Sequence, residues 1–230
     1  MQKRIFVSGA SKGIGLAIAL RFASQGFNVA ISARNQDSLT RIQQSHPNIQ
    51  TFRADMVNKA EVENLARWLN ESFGPLDVLV NNVGRFIPGQ IHTESDELFE
   101  ELMMTNLYSN YYLTKRVLPS MIARQSGTIF NICSIASLIA YPNSGAYSIS
   151  KHALHGLSKV LREEMKPYGI RVVSVLPGAT LTASWEGVNL PSERFMPAED
   201  IAQVVWDAWS LSPRTVIEEI LLRPMLGDIQ

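Results

Sequence analysis

The stretch Ile5-Phe-Val-Ser-Gly9-Ala-Ser-Lys-Gly13-Ile-Gly15 decides the fold of this chain, because an apolar run passes through a glycine-rich turn into a helical pattern. The helical pattern is an apolar stripe with i, i+3, i+4 and i+8 spacing, formed by Ile14, Ala17, Ile18 and Phe22. Glycines let the backbone of such a turn approach a ligand closely, and the following helix presents free N–H groups to a phosphate. The stretch therefore predicts a first strand, a phosphate-binding turn and a first helix.

Strand-like apolar runs alternate with helical patterns along the whole chain, which predicts βαβ units and a parallel sheet. The predicted strands cover residues 4–7, 29–32, 50–53, 78–80, 128–132, 171–175 and 215–221. Asp37 is the expected N-cap of a short helix over residues 38–44. Without an internal repeat or a linker-like shift in composition, the sequence favours a single doubly wound α/β domain over residues 1–230.

The composition excludes several classes of function. The 230 residues are 46% hydrophobic, which is enough for one substantial core, and 21 basic residues balance 21 acidic ones. No net field therefore attracts nucleic acid or an acidic membrane surface. No apolar run approaches the roughly 20 residues of a membrane span, and Met1-Gln-Lys-Arg leads directly into a strand, so we expect a cytoplasmic protein. The single Cys133 is expected to be a packed thiol, not a nucleophile.

The stretch Tyr147-Ser-Ile-Ser-Lys151 carries the chemistry expected of this chain. In a helix this spacing places a phenol and an ammonium group on one face, and the positive charge should lower the tyrosine pKa from about 10. A tyrosine with a lowered pKa can donate a proton to a carbonyl oxygen. Ser134 follows an apolar run that should end at the carboxyl edge of the sheet. The alternative is a packed aromatic ring beside a solvated lysine.

Five motifs occur in the order and spacing typical of the short-chain dehydrogenases/reductases. They are Gly9-x-x-x-Gly13-x-Gly15, Asn81-Asn-Val-Gly84, Ser134, Tyr147-x-x-x-Lys151 and Pro177-Gly178-x-x-x-Thr182. The chain resembles this family over nearly its whole length. The resemblance implies a Rossmann-type domain with a parallel seven-stranded sheet and helices on both faces. It also implies reduction of a small-molecule carbonyl substrate to an alcohol with a nicotinamide cofactor.

The resemblance assigns a role to each of four catalytic residues. Tyr147 protonates the substrate oxygen, and Ser134 orients that oxygen by a hydrogen bond. Lys151 lowers the pKa of Tyr147 and holds the ribose hydroxyls of the cofactor. Asn106 interrupts its helix and holds a water that links the lysine to solvent. For Asn106 the alternative is a buried amide whose hydrogen bonds are satisfied by the backbone.

The end of the second predicted strand indicates which nicotinamide nucleotide binds. An acid about 20 residues beyond the glycines would accept hydrogen bonds from the 2′-hydroxyl of NAD, but this strand ends Ser32-Ala-Arg34. Arg34 can contact a 2′-phosphate with two N–H groups, and Lys12 adds a second charge. Both could instead be ordinary solvated residues. Together they predict NADP(H).

The resemblance also implies the remaining cofactor contacts. The expected cofactor-binding residues are Gly9, Ser11, Lys12, Gly13, Ile14, Gly15, Arg34, Asp55, Met56, Asn82, Gly84, Tyr147, Lys151, Pro177, Gly178 and Thr182. Asp55 would contact the adenine edge, and its alternative role is the N-cap of the next helix. Val83 replaces an alanine that is usual in the family. We expect the larger side chain to affect the exact position of the cofactor and not its binding. His152 and His155 lack further ligands, so no metal is assigned.

Substrate contacts are expected from Ser134, Tyr141, Tyr147 and Trp185. Residues 179–197 form a long irregular segment that would be the lid over the substrate, and the alternative is a surface excursion with buried aromatic residues. Residues 177–185 and 214–229 look like those of bacterial sepiapterin-reductase-type members, a likeness placed in the C-terminal third. A pterin or a vicinal diketone is therefore the first substrate candidate.

Two alternatives to this function remain open. The first is a reductase of 3-oxoacyl thioesters carried by acyl carrier protein, and the second is a non-catalytic NADP-binding sensor. The family also implies a homodimer or homotetramer formed through its long helices. Tyr108, Tyr111 and Tyr112 could belong to such an interface or to the core.

Overall fold

The computed structural model of the protein describes residues 2–185 and 187–229, and all seven of the strands found there lie in one parallel sheet. The strands are β1 (Arg4–Val7), β2 (Asn28–Ala33), β3 (Ile49–Arg53), β4 (Val78–Asn81), β5 (Gly127–Ile132), β6 (Ile170–Pro177) and β7 (Glu219–Leu222). Their order across the sheet is β3-β2-β1-β4-β5-β6-β7. Because β1 lies between β2 and β4, the chain reverses direction across the sheet at β1, which opens a crevice at the carboxyl edge. The predicted doubly wound α/β fold is confirmed.

The helices cover both faces of the sheet. They are α1 (Gly13–Ser24), α2 (Gln36–Ser45), α3 (Lys59–Trp68), α4 (Asp96–Met103), α5 (Ser109–Arg124), α6 (Gly145–Met165) and α7 (Ala198–Ser210). On one face, Ile18 and Phe22 of α1 pack with Val205 of α7. On the other face, Leu113 of α5 and Leu161 of α6 belong to a second apolar cluster. The apolar stripe predicted for the first helix therefore faces the sheet.

Two local predictions are wrong. Asn35, not Asp37, caps α2, because its side-chain oxygen accepts a hydrogen bond from the Ser38 N–H at 2.8 Å. The last strand was expected over residues 215–221, but β7 spans only Glu219–Leu222. β6 pairs with it only from Ser174 onward, so the register of the two strands begins at Glu219. In the described part of the chain, no helix is both long and apolar enough to cross a membrane.

Candidate active site

The glycine-rich turn between β1 and α1 is shaped for close approach of a ligand. Gly9 and Gly13 have φ angles of +62° and +59°, which favour glycine. A Cβ atom at Gly15 would lie 2.4 Å from Nδ2 of Asn82. This amide donates to the carbonyl oxygens of Ser8 and Gly9 at 3.0 and 2.9 Å, so the residue after β4 braces the turn. The backbone at the start of α1 fits a pyrophosphate.

Two basic side chains flank this turn. Arg34 is the first residue after β2, Lys12 directly precedes α1, and both are exposed. Neither forms an ion pair within residues 2–185 and 187–229, so both charges are available to an anion. Thr182 closes the other side, since a Cβ atom at Gly13 would lie 3.2 Å from its Cγ2 atom. The loop after β6 therefore reaches the glycine turn, where Ser11 and Ile14 also lie.

Asp55 does not cap the next helix. Its carboxylate accepts a hydrogen bond from the Val57 N–H at 3.2 Å, and Asn58 instead accepts from the N–H groups of the first turn of α3. The N-cap alternative for Asp55 is therefore wrong. The Met56 side chain is buried in the apolar core, which leaves the carboxylate of Asp55 as the polar group at the end of β3.

Ser134 and Tyr147 meet beyond the end of β5. Ser134 caps a short 3₁₀ turn, Ile135–Ser137, while Tyr147 lies in the first turn of α6. Burial raises the pKa of the Tyr147 phenol, and a hydrogen bond with the Ser134 side chain acts in the opposite direction. The edge of Phe86 contacts the tyrosine ring with centroids 4.9 Å apart. The structure thus brings together the two hydroxyls that the sequence pairs.

Lys151 lies behind this pair and is buried. Its ammonium donates to the carbonyl oxygen of Ile132 at 2.9 Å and lies 6.0 Å from the centroid of the Tyr147 ring. Burial lowers the pKa of Lys151 to about 8. The expectation that the pKa of Tyr147 is lowered is therefore wrong, because burial, which disfavours the charged form, dominates at both groups. A Cβ atom at Gly84 would lie 3.0 Å from Nζ, so glycine keeps the space beside the ammonium open.

Asn106 lies in a π-helical turn, Met104–Tyr108, between α4 and α5, so the helix is interrupted there. Its oxygen accepts from the Arg85 N–H at 2.7 Å, and its amide donates to the Arg85 carbonyl at 3.0 Å and to Ser150 Oγ at 2.9 Å. Ser150 in turn donates to the carbonyl oxygen of Tyr147. The amide is satisfied by backbone and a serine, and it links the loop after β4 to α6. The water relay remains a prediction.

The C-terminal tail contributes a residue that the sequence analysis missed. Asp228 accepts a hydrogen bond from the Tyr141 hydroxyl at 2.7 Å and pairs with Arg223. Its second oxygen, Oδ1, is buried without a hydrogen-bond partner among the described residues. A Cβ atom at Gly178 would lie 3.5 Å from this oxygen, and the Gly178 N–H donates to Leu222. Tyr141 and Asp228 are 87 residues apart, so no local pattern could have joined them.

Residues 179–197 leave β6 and return to α7 as a closed loop. The Leu181 N–H donates to the Met196 carbonyl, and the Met196 N–H donates to the Ala179 carbonyl, so its two ends are paired. Trp185 packs on the buried Phe195 with ring centroids 5.1 Å apart. Phe195 therefore supports the loop from inside. Glu186, within the expected lid, lies outside the described residues.

Comparisons with known proteins agree with this geometry. The family model described as short chain dehydrogenase matches residues 3–192. A sepiapterin reductase of Chlorobaculum tepidum is 36% identical and covers 100% of this chain, which covers 99% of it. The alcohol dehydrogenase of Thermococcus sibiricus, solved with 5-hydroxy-NADP, superposes with a TM-score of 0.92 at 27% identity over 100% of both chains. The actinorhodin polyketide ketoreductase, solved with NADPH, gives a TM-score of 0.89 at 27% identity over 99% of this chain and 98% of that one.

The sheet order, the site geometry and the family match define the class of protein. The chain belongs to the short-chain dehydrogenase/reductase family of oxidoreductases. The likeness to a sepiapterin reductase was placed in the C-terminal third, and this is wrong, because the similarity spans the whole chain. Motifs shared by the whole family do not distinguish its members, so only the tail indicated the likeness to sepiapterin reductases.

Proposed function

We propose that this protein reduces a small carbonyl compound to an alcohol with NADPH, with Tyr147 as the proton donor. The observation that carries the proposal is the pairing of the Ser134 and Tyr147 hydroxyls in front of the buried Lys151. The residues around the crevice fit the cofactor. Glycines with positive φ angles open the turn before α1, Arg34 and Lys12 are exposed beside it, and Thr182 lies across from Gly13.

Bound NADPH supplies the hydride, and the chain supplies orientation and the proton. Ser134 hydrogen-bonds the substrate oxygen and holds it beside the phenol. As negative charge develops on this oxygen, Tyr147 donates its proton to it. The ammonium of Lys151, buried behind the tyrosine, would hold the ribose hydroxyls of the cofactor. Asn106 and Ser150 fix the backbone of α6 beneath these groups.

The tail favours a pterin or a vicinal diketone over larger substrates, with the pterin first. A pterin ring presents an amino group and a ring N–H on one edge, and the Oδ1 atom of Asp228 can accept a hydrogen bond from this edge while Oδ2 keeps Tyr141 and Arg223. Asp228 has a buried oxygen without a partner among the described residues and lies beside Gly178 in the loop after β6. A buried carboxylate oxygen without a hydrogen bond is costly, so a donor is expected there. A sepiapterin reductase that is 36% identical covers the whole chain, which supports the same substrate.

NADPH oxidation across a carbonyl panel tests the substrate. Sepiapterin, vicinal diketones, 3-oxoacyl thioesters, steroid ketones and simple aldehydes are compared in the parent protein and in Asp228→Asn. We expect Asp228→Asn to lower kcat/KM for sepiapterin by about 10–100-fold, because a charge-assisted hydrogen bond is lost, and to leave small diketones within about threefold.

The control for this experiment is Asp207→Asn, which makes the same carboxylate-to-amide change at an exposed residue of α7. It should retain most of the preference for the pterin. Equal losses for pterin and diketone in Asp228→Asn would contradict the assignment of this residue. Activity on acyl thioesters alone would make the protein a reductase of fatty-acid chemistry. Tight NADPH binding without turnover on any compound would support the sensor.

The pKa of Lys151 predicts a pH dependence of cofactor binding. Burial lowers this pKa to about 8. Hydrogen bonds from the ammonium to the ribose hydroxyls would favour its charged form and raise this pKa on binding. At pH 8.5 NADPH binding should therefore take up a fraction of a proton, and the affinity should fall as the pH rises through 8 and above. The 2′-phosphate, with a pKa of about 6, does not titrate in this range. Titration calorimetry in two buffers of different ionisation enthalpy measures the uptake.

Lys151→Met should abolish this uptake. The control is Lys159→Met, since Lys159 lies two turns along the same helix, is exposed and pairs with Glu219. If the parent protein takes up no proton at pH 8.5, or if Lys151→Met takes up as many as the parent, Lys151 does not contact the cofactor.

We also propose that the chain acts as one NADP-binding domain and that residues 179–197 are the lid over its substrate. The hydrogen bonds that pair the two ends of residues 179–197 support a loop that moves as a unit. For assembly we propose a cytoplasmic homodimer or homotetramer formed through α5 and α6. Tyr108 and Tyr111 of this region are exposed, which favours the interface over the core for these two residues.

A further inference from the structure

The first turn of α6, which carries Tyr147, begins without the usual cap. Ser144 occupies the N-cap position, but among the described residues its hydroxyl makes no hydrogen bond to an N–H group of the helix. This hydroxyl instead bonds the Tyr141 carbonyl and the Ser148 hydroxyl, both at 2.7 Å. The first N–H groups of a helix need acceptors from elsewhere in the structure.

Glu94 supplies one of these acceptors from the loop that follows β4. The Ala146 N–H donates to Oε2 of Glu94 at 3.3 Å, across 52 residues of sequence. The carboxylate spans the start of the helix, since a Cβ atom at Gly145 would lie 3.1 and 3.2 Å from its two oxygens. The neighbouring Gly145 N–H donates to the Gly89 carbonyl at 2.9 Å. The end of the helix is thus held by one segment, residues 89–94.

Two further observations show that this contact is specific. A Cβ atom at Gly89 would lie 2.7 Å from Oε2 of Glu94, so the glycine makes room for the carboxylate. A cavity of about 480 Å³ borders the same turn, lined by Ile91, Gly145 and Ile149 among others. Side-chain packing therefore does not hold this end of the helix on the cavity side. The negative charge also lies at the positive end of the helix dipole, which stabilises it.

We propose that Glu94 is a positioning residue for the reaction, acting through the first turn of α6 to hold the Tyr147 phenol against Ser134. The inference rests on the proposed function, because it concerns the proton donor of that reaction. The proposed role of Glu94 acts through the backbone of the helix and involves no contact with substrate or cofactor. Displacing a reacting group by about 1 Å can cost two orders of magnitude in rate, so even partial loosening of this turn should be measurable.

A double-mutant cycle with Gly89 tests the inference. We expect Glu94→Ala to lower kcat about tenfold and Tm by about 2–4 °C, with the NADPH dissociation constant within about twofold. Glu94→Gln keeps an acceptor oxygen and should restore most of kcat. Gly89→Ala displaces the carboxylate and should reproduce the loss, but in the Glu94→Ala background it should cost nothing further. Glu100→Gln, which removes an exposed charge from α4, is the matched control.

Hydrogen exchange separates the failure of this inference from failure of the proposed function. Glu94→Ala and Gly89→Ala should speed exchange of the amides of residues 145–148, and Glu94→Gln should not. Parent-like exchange and kcat in Glu94→Ala, or additive losses in the double variant, would overturn the inference. If exchange responds as expected while the parent protein reduces no carbonyl, the positioning contact stands and the proposed function fails. If Glu94→Ala does not fold, kcat and amide exchange of Gly89→Ala and Glu94→Gln are compared instead.

Discussion

Tyr147→Phe should lower kcat for carbonyl reduction by about 10²–10⁴-fold while leaving the fold and the affinity for NADPH nearly unchanged. The substitution removes only the hydroxyl, so the ring still packs against Phe86, whose centroid lies 4.9 Å away. Without the hydroxyl, the variant lacks the group that we propose as the proton donor to the developing alkoxide. Stopped-flow absorbance of NADPH in single turnovers measures the loss in the chemical step directly.

The raised pKa of Tyr147 also predicts how the two directions of the reaction depend on pH. Burial keeps the phenol protonated through neutral pH, which suits proton donation during reduction. The reverse reaction, alcohol oxidation, requires the phenolate and should therefore be favoured only at higher pH. In the parent protein we expect reduction to stay constant from pH 6 to 7.5, while oxidation should increase with pH over the same range.

A matched tyrosine gives the control for this prediction. Tyr168 lies in a 3₁₀ turn at the far end of α6 and is exposed. Tyr168→Phe removes the same hydroxyl from the turn that follows this helix and should leave kcat unchanged. If Tyr147→Phe retained more than about a tenth of the parent kcat, another group would have to donate the proton, and the assignment of Tyr147 would be wrong.

The fold could be read from the sequence because its signals are local. The strand, turn and helix of residues 5–24 depend on apolar spacing and on glycines that lie next to each other in the chain. Strand bounds came within two residues for β1 to β6. The error at β7 arose because an edge strand ends where its single neighbour stops pairing, and the neighbour's register is not local information.

The parts of the site that could not be predicted are contacts between distant segments. Asp228 reaches Tyr141 across 87 residues, and Glu94 reaches Ala146 across 52. Neither acid has a sequence pattern that marks it. The directions of the pKa shifts at Tyr147 and Lys151 could not be predicted either. The spacing of two residues gives the sign of their Coulomb interaction but not their burial. Burial is the largest cause of both pKa shifts. Pattern reasoning thus paired the two hydroxyls that the structure brings together, and it missed their surroundings.

Arg34→Asp should change the ratio of kcat/KM for NADPH to that for NADH by about 10²–10³-fold in favour of NADH. The arginine follows β2 directly, is exposed, and forms no ion pair in the described part of the chain, so its charge is free for a 2′-phosphate. Replacing it removes a charge-assisted contact worth about 10–100-fold. The new carboxylate repels the 2′-phosphate and can accept a hydrogen bond from the 2′-hydroxyl of NADH. Initial rates with both cofactors give the ratio.

Arg41→Asp is the matched control, because it makes the same charge change at an exposed arginine on α2. A general electrostatic effect would lower NADPH use in both variants and would weaken at high salt. A specific contact should be lost only in Arg34→Asp. Binding of 2′,5′-ADP and 5′-AMP provides a readout that needs no turnover, and only the former should weaken in Arg34→Asp. If Arg34→Asp kept the cofactor selectivity of the parent protein, the assignment of Arg34 would be wrong. Lys12, which is also exposed beside the turn, would then be the group that contacts the 2′-phosphate.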